Sequence, residues 1–156
     1  MEENWELKDI FATVRRVRSA RLLQDIVCIC QNLGMLSEKY EFIPASGTRA
    51  LPYSAKLDYD LSELESGEII VDTMTRNSYV LTEKGKSEGK ELEGKSRELL
   101  NRLVNEDATT LDSMASVAFV RSLLSEEDPR QIAGYFATSQ KKVEKYLKLL
   151  DELKPY

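Results

Sequence analysis

The most constraining feature of this chain is a change of apolar period around Gly67. Before it, Leu57, Leu61 and Leu64 recur at four- and three-residue steps, the spacing that places side chains on one helical face. After it, Ile69-Ile70-Val71 and Tyr79-Val80-Leu81 form two short β-rich runs separated by the turn-like Thr75-Arg76-Asn77-Ser78. A compact helix starting at the capping residue Ser54, ended by Gly67 and followed by a hairpin, is therefore expected. Few folds accommodate that order, because the leucines must point inward beneath a two-stranded ribbon.

Around this centre the pattern is helical. Leu7, Ile10, Phe11, Val14 and Val17 follow helical spacing, and Leu22, Leu23, Ile26, Val27, Cys30 and Leu33 continue it to Gly34. Two helices, or one kinked helix, open the chain, with Ser19 placed to cap the second. Tyr40-Glu41-Phe42-Ile43 reads as a short strand, broken by Pro44, Ser46 and Gly47. The charged stretch Glu83 to Arg97 reads as a solvated helix that gains a buried face at Leu99, Leu100, Leu103 and Val104. A further helix carries Leu111, Met114, Val117, Ala118, Val120 and Leu124, and after the break at Ser125 to Pro129 two more helical segments run to Leu153.

The expected fold class is mainly α with a small β-hairpin, divided into a unit over 1–105 and a helical C-terminal extension over 106–156 packed on it. At 156 residues one compact unit is the default. No apolar run approaches the roughly 20 residues that cross a bilayer, and Met-Glu-Glu-Asn does not open like a signal peptide. A cytoplasmic protein without membrane contact is expected, with Cys28 and Cys30 as buried thiols.

Histidine is absent from the chain, which removes Ser-His-Asp and Cys-His nucleophilic sites, imidazole bases and the commonest metal ligand together. Two cysteines cannot make a four-ligand structural zinc site. No enzyme, no metal and no cofactor is the resulting expectation. Gly89-Lys90-Glu91-Leu92-Glu93-Gly94-Lys95-Ser96 fits the written form of a P-loop, but Glu91 and Glu93 would face the phosphate and no strand leads into Gly89. A charged linker or helix accounts for it. Ser139-Gln140-Lys141-Lys142 fits Ser-x-x-Lys, and a capping serine explains it.

The order helix, strand-like piece, helix, hairpin is that of a winged helix. Leu51-Pro52-Tyr53-Ser54-Ala55-Lys56-Leu57, Asp60-Leu61, Leu64 and Gly67-Glu68-Ile69-Ile70, with the later Tyr79-Val80-Leu81-Thr82-Glu83-Lys84-Gly85, resemble the motif pattern of the YwgA-like and Panacea (SocA-type) proteins over residues 21–86. The resemblance implies a winged-helix-like fold in a regulatory or antitoxin-type protein, and no catalytic residues.

Two functional readings follow. In the first, a homodimeric transcription regulator binds double-stranded DNA. The helix holding Asp58, Asp60, Glu63 and Glu65 against a single Lys56 is a poor reader of a polyanion. The better candidate is C-terminal, where Ile132-Ala133, Phe136-Ala137-Thr138-Ser139, Val143 and Leu147 are spaced like a helix-turn-helix with Gln140, Lys141, Lys142 and Lys145 at the exposed start of its second helix. A plain helical hairpin with a lysine-rich surface matches the same residues. Arg76 at the hairpin turn, and Arg15 with Arg18 as neighbours on a helix, complete the proposed contacts. A salt-bridged surface is the alternative for the arginines. In the second reading, a protein-interaction module of antitoxin or adaptor type presents Tyr53, Tyr59, Asp58, Asp60 and Glu63 to a protein partner. A solvated acidic face explains the same carboxylates. Trp5, Tyr53 and Tyr59 are expected as core or interface anchors.

Overall fold

The protein is described by a computed structural model covering residues 4–37, 39–45, 51–73, 78–124, 128–135 and 139–154. It is mainly helical. Helix α1 spans Leu7–Val14 and begins with the Asp9 carboxylate accepting the Glu6 N–H at 2.9 Å. It stops at Arg15, whose backbone is left-handed (φ 66°), and the chain passes directly into the short strand β1, Arg16–Val17. Ser19 then caps α2 (Ala20–Asn32) by accepting the Leu22 N–H at 3.1 Å. Every residue of α2 from Leu22 to Cys30 is buried, which makes it the central helix of the molecule.

The chain next forms a small two-stranded ribbon, β2 (Ile43–Pro44) with β3 (Pro52–Tyr53). Ser54 caps α3 (Ala55–Ser66) through the Leu57 N–H, and Gly67 closes it. Leu57 and Leu61 are buried and Leu64 is half-buried, as their spacing requires. Strands β4 (Ile70–Thr73) and β5 (Ser78–Leu81) pair antiparallel with Val71 opposite Val80. Residues 74–77, including most of the expected turn, lie outside the described residues, and Ser78 belongs to β5. Strand β1 adds to the free side of β5, giving the sheet order β1-β5-β4. The first strand thus lies beside the last, while the strand-like piece expected at 40–43 joins the separate β2–β3 ribbon and not the hairpin sheet.

Among the described residues four helices follow: α4 (Gly94–Asn105), α5 (Ala108–Leu124), α6 (Pro129–Tyr135) and α7 (Gln140–Leu153). Helix α5 lies along α2 in the most extensive helix pairing among the described residues. Leu111, Met114, Ala115 and Ala118 of α5 join Leu23, Ile26 and Cys30 of α2 in one hydrophobic core, so that core continues across residue 105. Val143, Leu147, Leu150 and Leu153 extend it along α7. Trp5 is fully buried and bonded through its backbone to Met35 and Ser37.

Three local expectations are corrected. Residues 83–97 do not form one solvated helix. A 3-10 turn covers Gly85–Ser87, and the following segment lies flat on α1, where Asp9 accepts the Lys90 N–H at 2.7 Å and Thr13 Oγ1 accepts the Leu92 N–H at 2.8 Å. These tertiary acceptors replace helical ones, and buried Leu92 anchors the segment. The approach is close enough that a Cβ on Gly89 would sit 2.4 Å from the Lys8 carbonyl oxygen. Second, the strand over 40–43 is reduced to Ile43, because the Gln31 side chain takes both backbone groups of Tyr40, accepting its N–H at 2.7 Å and donating to its carbonyl at 2.9 Å. Third, Arg15 and Arg18 are not neighbours on a helix: α1 ends at Val14, and β1 separates the two arginines.

Candidate functional site

Helix α7 carries a run of four exposed lysines, Lys141, Lys142, Lys145 and Lys148. Ser139 caps it by accepting the Lys142 N–H at 3.3 Å, which orients the first turn outward from the core. Its buried face is Val143, Leu147, Leu150 and Leu153, and helical periodicity leaves Gln140, Lys141, Lys142, Lys145 and Lys148 in solvent. The charges are segregated along the axis. Lys141 to Lys148 contains Glu144 as its one carboxylate, while Asp151 and Glu152 follow at the far end. Glu144 accepts from Gln140 at 2.9 Å, and Asp151 meets Arg121 of α5 at 3.2 Å. Lys145 Nζ lies 5.5 Å from the ring centre of Tyr146, the range of a weak cation–π contact. The preceding α6 buries Ile132 and Ala133 against the same core, while Phe136, Ala137 and Thr138 lie outside the described residues.

The other expected DNA contacts are dispersed. Arg76 lies outside the described residues. Arg15 is exposed at the end of α1, with its carbonyl accepting the Leu81 N–H. Arg18 donates to the backbone carbonyl of Glu106, between α4 and α5. Arg16 and Arg18 border a shallow groove of about 390 Å³ with Val14, Asn101, Val104 and Asn105. That positive groove, with its two asparagines, was not legible in the sequence, because Arg16 and Asn101 meet only through the fold.

The acidic face of α3 is more internally committed than its composition suggests. Asp58 accepts from the Tyr53 hydroxyl at 2.7 Å and from Gln24 Nε2 at 3.1 Å. The bond to Asp58 and its negative charge hold the Tyr53 phenol above its ordinary pKa. Asp60 accepts from the Tyr40 hydroxyl at 2.7 Å and from Lys56 at 2.6 Å. Tyr53 is half-buried, with its hydroxyl held by Asp58. Tyr59, 61% exposed, and Glu63 do face solvent. Lys56 sits 5.9 Å from the Tyr59 ring centre.

A cleft of about 640 Å³ opens between the C-terminal halves of α2 and α5 and residues 34–37 and 39–42, lined by Cys28, Asn32, Phe42, Phe119 and Leu123. Two of its amide groups are already engaged: Gln31 with Tyr40, and Asn32 with Ala118, Ser122 and Arg121. Among the described residues no group of three or more Cys, Asp or Glu is arranged to hold a metal ion. No described helix is long and apolar enough to cross a membrane.

A polar cluster that sequence reasoning did not single out lies on one face of α2. Arg21, Gln24 and Asp25 share it at three- and four-residue steps. Arg21 donates to Asp25 at 2.8 Å and to the carbonyl of Pro52, and Gln24 bonds Ser54 and Asp58. Comparison of the chain with protein-family models, with curated proteins and with solved structures returns no match.

Proposed function

We propose that this protein is a DNA-binding regulator of winged-helix type that meets duplex DNA through the N-terminal half of α7 and not through α3. The observation that carries the reading is the capped start of α7, where Lys141, Lys142, Lys145 and Lys148 stand exposed with a single intervening carboxylate. A helix start adds backbone N–H groups and a positive dipole end to those lysines, the combination that suits a phosphate backbone. Helix α3 is unsuited to the same task, since Asp58, Asp60, Glu63 and Glu65 would meet the polyanion. The resemblance to YwgA-like and Panacea proteins fits a regulatory role, and a homodimer, the form in which helix-turn-helix regulators read paired half-sites, goes with it. The reading assigns no catalytic step and no cofactor, and a cytoplasmic location goes with it.

Fluorescence anisotropy with mixed-sequence duplex DNA at low and moderate salt tests this. Binding should weaken steeply with salt, and changing Lys141, Lys142 and Lys145 to Glu should abolish it. Neutral Gln substitutions at the same three positions should lower the slope of log K against log salt by about 2.7, roughly 0.9 for each phosphate that is no longer neutralised. No binding at low salt, or binding indifferent to all three lysines, overturns the proposal.

A second reading, docking of a protein partner on α3, is favoured by the exposed Tyr59 beside Glu63. Tyr59→Ala and Glu63→Lys test it more cleanly than changes at Asp58 or Asp60, whose carboxylates hold Tyr53 and Tyr40. A partner captured by the native protein and retained by both variants rules the reading out.

A further inference from the structure

Three buried polar atoms have no hydrogen-bond partner among the described residues, and two of them belong to carboxyl groups that meet between the paired helices α2 and α5. They are Asp25 Oδ2 on α2, Asp112 Oδ1 on α5, and Arg21 Nε. The Asp25 side chain is completely inaccessible to solvent, and the Asp112 carboxyl is in hydrogen-bonding contact with it. Two ionised carboxylates in contact, each with a bare oxygen and no water access, would be a costly arrangement. One proton between the two oxygens removes both vacancies at once, because a carboxylic acid donates where a carboxylate can only accept.

We propose that Asp25 and Asp112 share a single proton in the folded protein, and that this proton closes the joint between α2 and α5. Arg21 does not replace it. Its guanidinium approaches Asp25 from the other side, on Oδ1, and is also held by the Pro52 carbonyl. The proton resides on Asp25, the more buried of the pair. Burial first, and the Asp112 carboxyl second, push Asp25 up to about 8, against the downward pull of Arg21. The remaining titratable groups around it do not offset this. On α2 the Cys28 thiol is neutral and pushed up by its own burial. On β3 and α3, Tyr53 and Asp58 are bonded to each other, and Asp58 also to Gln24.

The consequence is a pH-responsive contact at the seam between the winged unit and the C-terminal helices. The folded chain retains a proton that the unfolded chain releases near pH 4, so the contribution of Asp25 to stability is fully present below that value and is lost as pH rises to about 8, where Asp25 ionises. Above that point the proton has passed to solvent, two carboxylates face each other, and α5 is held less tightly against α2. The absence of histidine makes this legible, since no imidazole in the chain titrates in the same window. The inference does not depend on whether α7 contacts DNA.

Carboxyl-carbon NMR titration of protein labelled with 13C-aspartate tests it directly on the unaltered chain. One aspartate should titrate near pH 8, and in Asp112→Asn that midpoint should fall, because the amide can donate to an ionised Asp25. Completion of every aspartate titration below pH 5 overturns the proposal. Denaturant unfolding from pH 5 to pH 8 provides the second readout: the unfolding constant of the native sequence should rise by up to tenfold per pH unit. Asp25→Asn and Asp112→Asn should flatten that rise, and an undiminished slope in both variants overturns it.

Discussion

Gln24 of α2 binds the backbone of Ser54 as a neighbouring strand would, accepting its N–H at 2.8 Å and donating to its carbonyl at 2.9 Å. Seven residues further along the same helix, Gln31 does the same to Tyr40. The two amides bracket the β2–β3 ribbon and fix where α3 begins. They explain how a segment with only two residues in each strand is held against a helix.

Gln24→Leu should therefore destabilise the protein without creating a void. The Ser54 carbonyl keeps a bond from the Asp58 N–H, but the Ser54 N–H is left buried and unpaired. A loss of about 1–3 kcal/mol is expected from that orphaned donor, read by denaturant unfolding. Gln31→Leu should cost less, because the Tyr40 segment is closer to water.

The serine caps of α3 and α7 should differ according to burial. Ser54→Ala and Ser139→Ala each remove an acceptor for a first-turn N–H, a change worth about 1 kcal/mol on average. Ser54 is buried and Ser139 exposed, so the Leu57 N–H cannot turn to water as the Lys142 N–H can. Thermal unfolding should show the larger drop for Ser54→Ala.

Gly85→Ala should be among the most damaging single changes outside the helices. A Cβ there would lie 2.2 Å from the Ile69 carbonyl oxygen and 2.7 Å from Leu81 Cδ1. That carbonyl accepts the Thr82 N–H at the open end of the β4–β5 hairpin, so neither side can yield without disturbing the sheet. A destabilisation of at least about 1–3 kcal/mol is expected, the usual cost of overpacking, measured as a lowered denaturant midpoint. A variant with native stability would contradict the close approach.

Cys28 and Cys30 should resist thiol reagents in the native state. Both are free and buried, and burial pushes each thiol far above its ordinary pKa. Because the thiolate is the reacting species, labelling at neutral pH should proceed only through unfolding. Its rate should rise with denaturant in parallel with loss of structure, and immediate labelling of the folded protein would contradict the burial.

Much of the architecture was legible before the fold. Ser19, Ser54 and Ser139 cap the helices that their positions announce, and Leu57 and Leu61 point inward under the hairpin. Strand β1 was not legible, because two residues between helices carry no period, and Arg16–Val17 become a strand only when β5 offers an edge. The segment before α4 departs from its local pattern for a related reason: its charged composition is compatible with helix, but Asp9 and Thr13 supply competing acceptors from another element. The candidate basic surface divides in the same way. The lysines of α7 share a face by local periodicity, whereas the groove of Arg16, Arg18 and Asn101 depends on how α4 meets β1.

By itself the amino-acid order determined what is local: helix starts and stops, the inward leucines, the hairpin, and a chain without histidine. Tertiary structure decided what is made between distant positions. Gln24 meets Ser54 and Asp25 meets Asp112 only because α2 is enclosed on several sides, by β3 and by α5. Local periodicity is governed by neighbours within a few residues, so it can be read along the chain. A buried polar group finds its partner through the packing that removes water, and that packing exists only in the folded molecule.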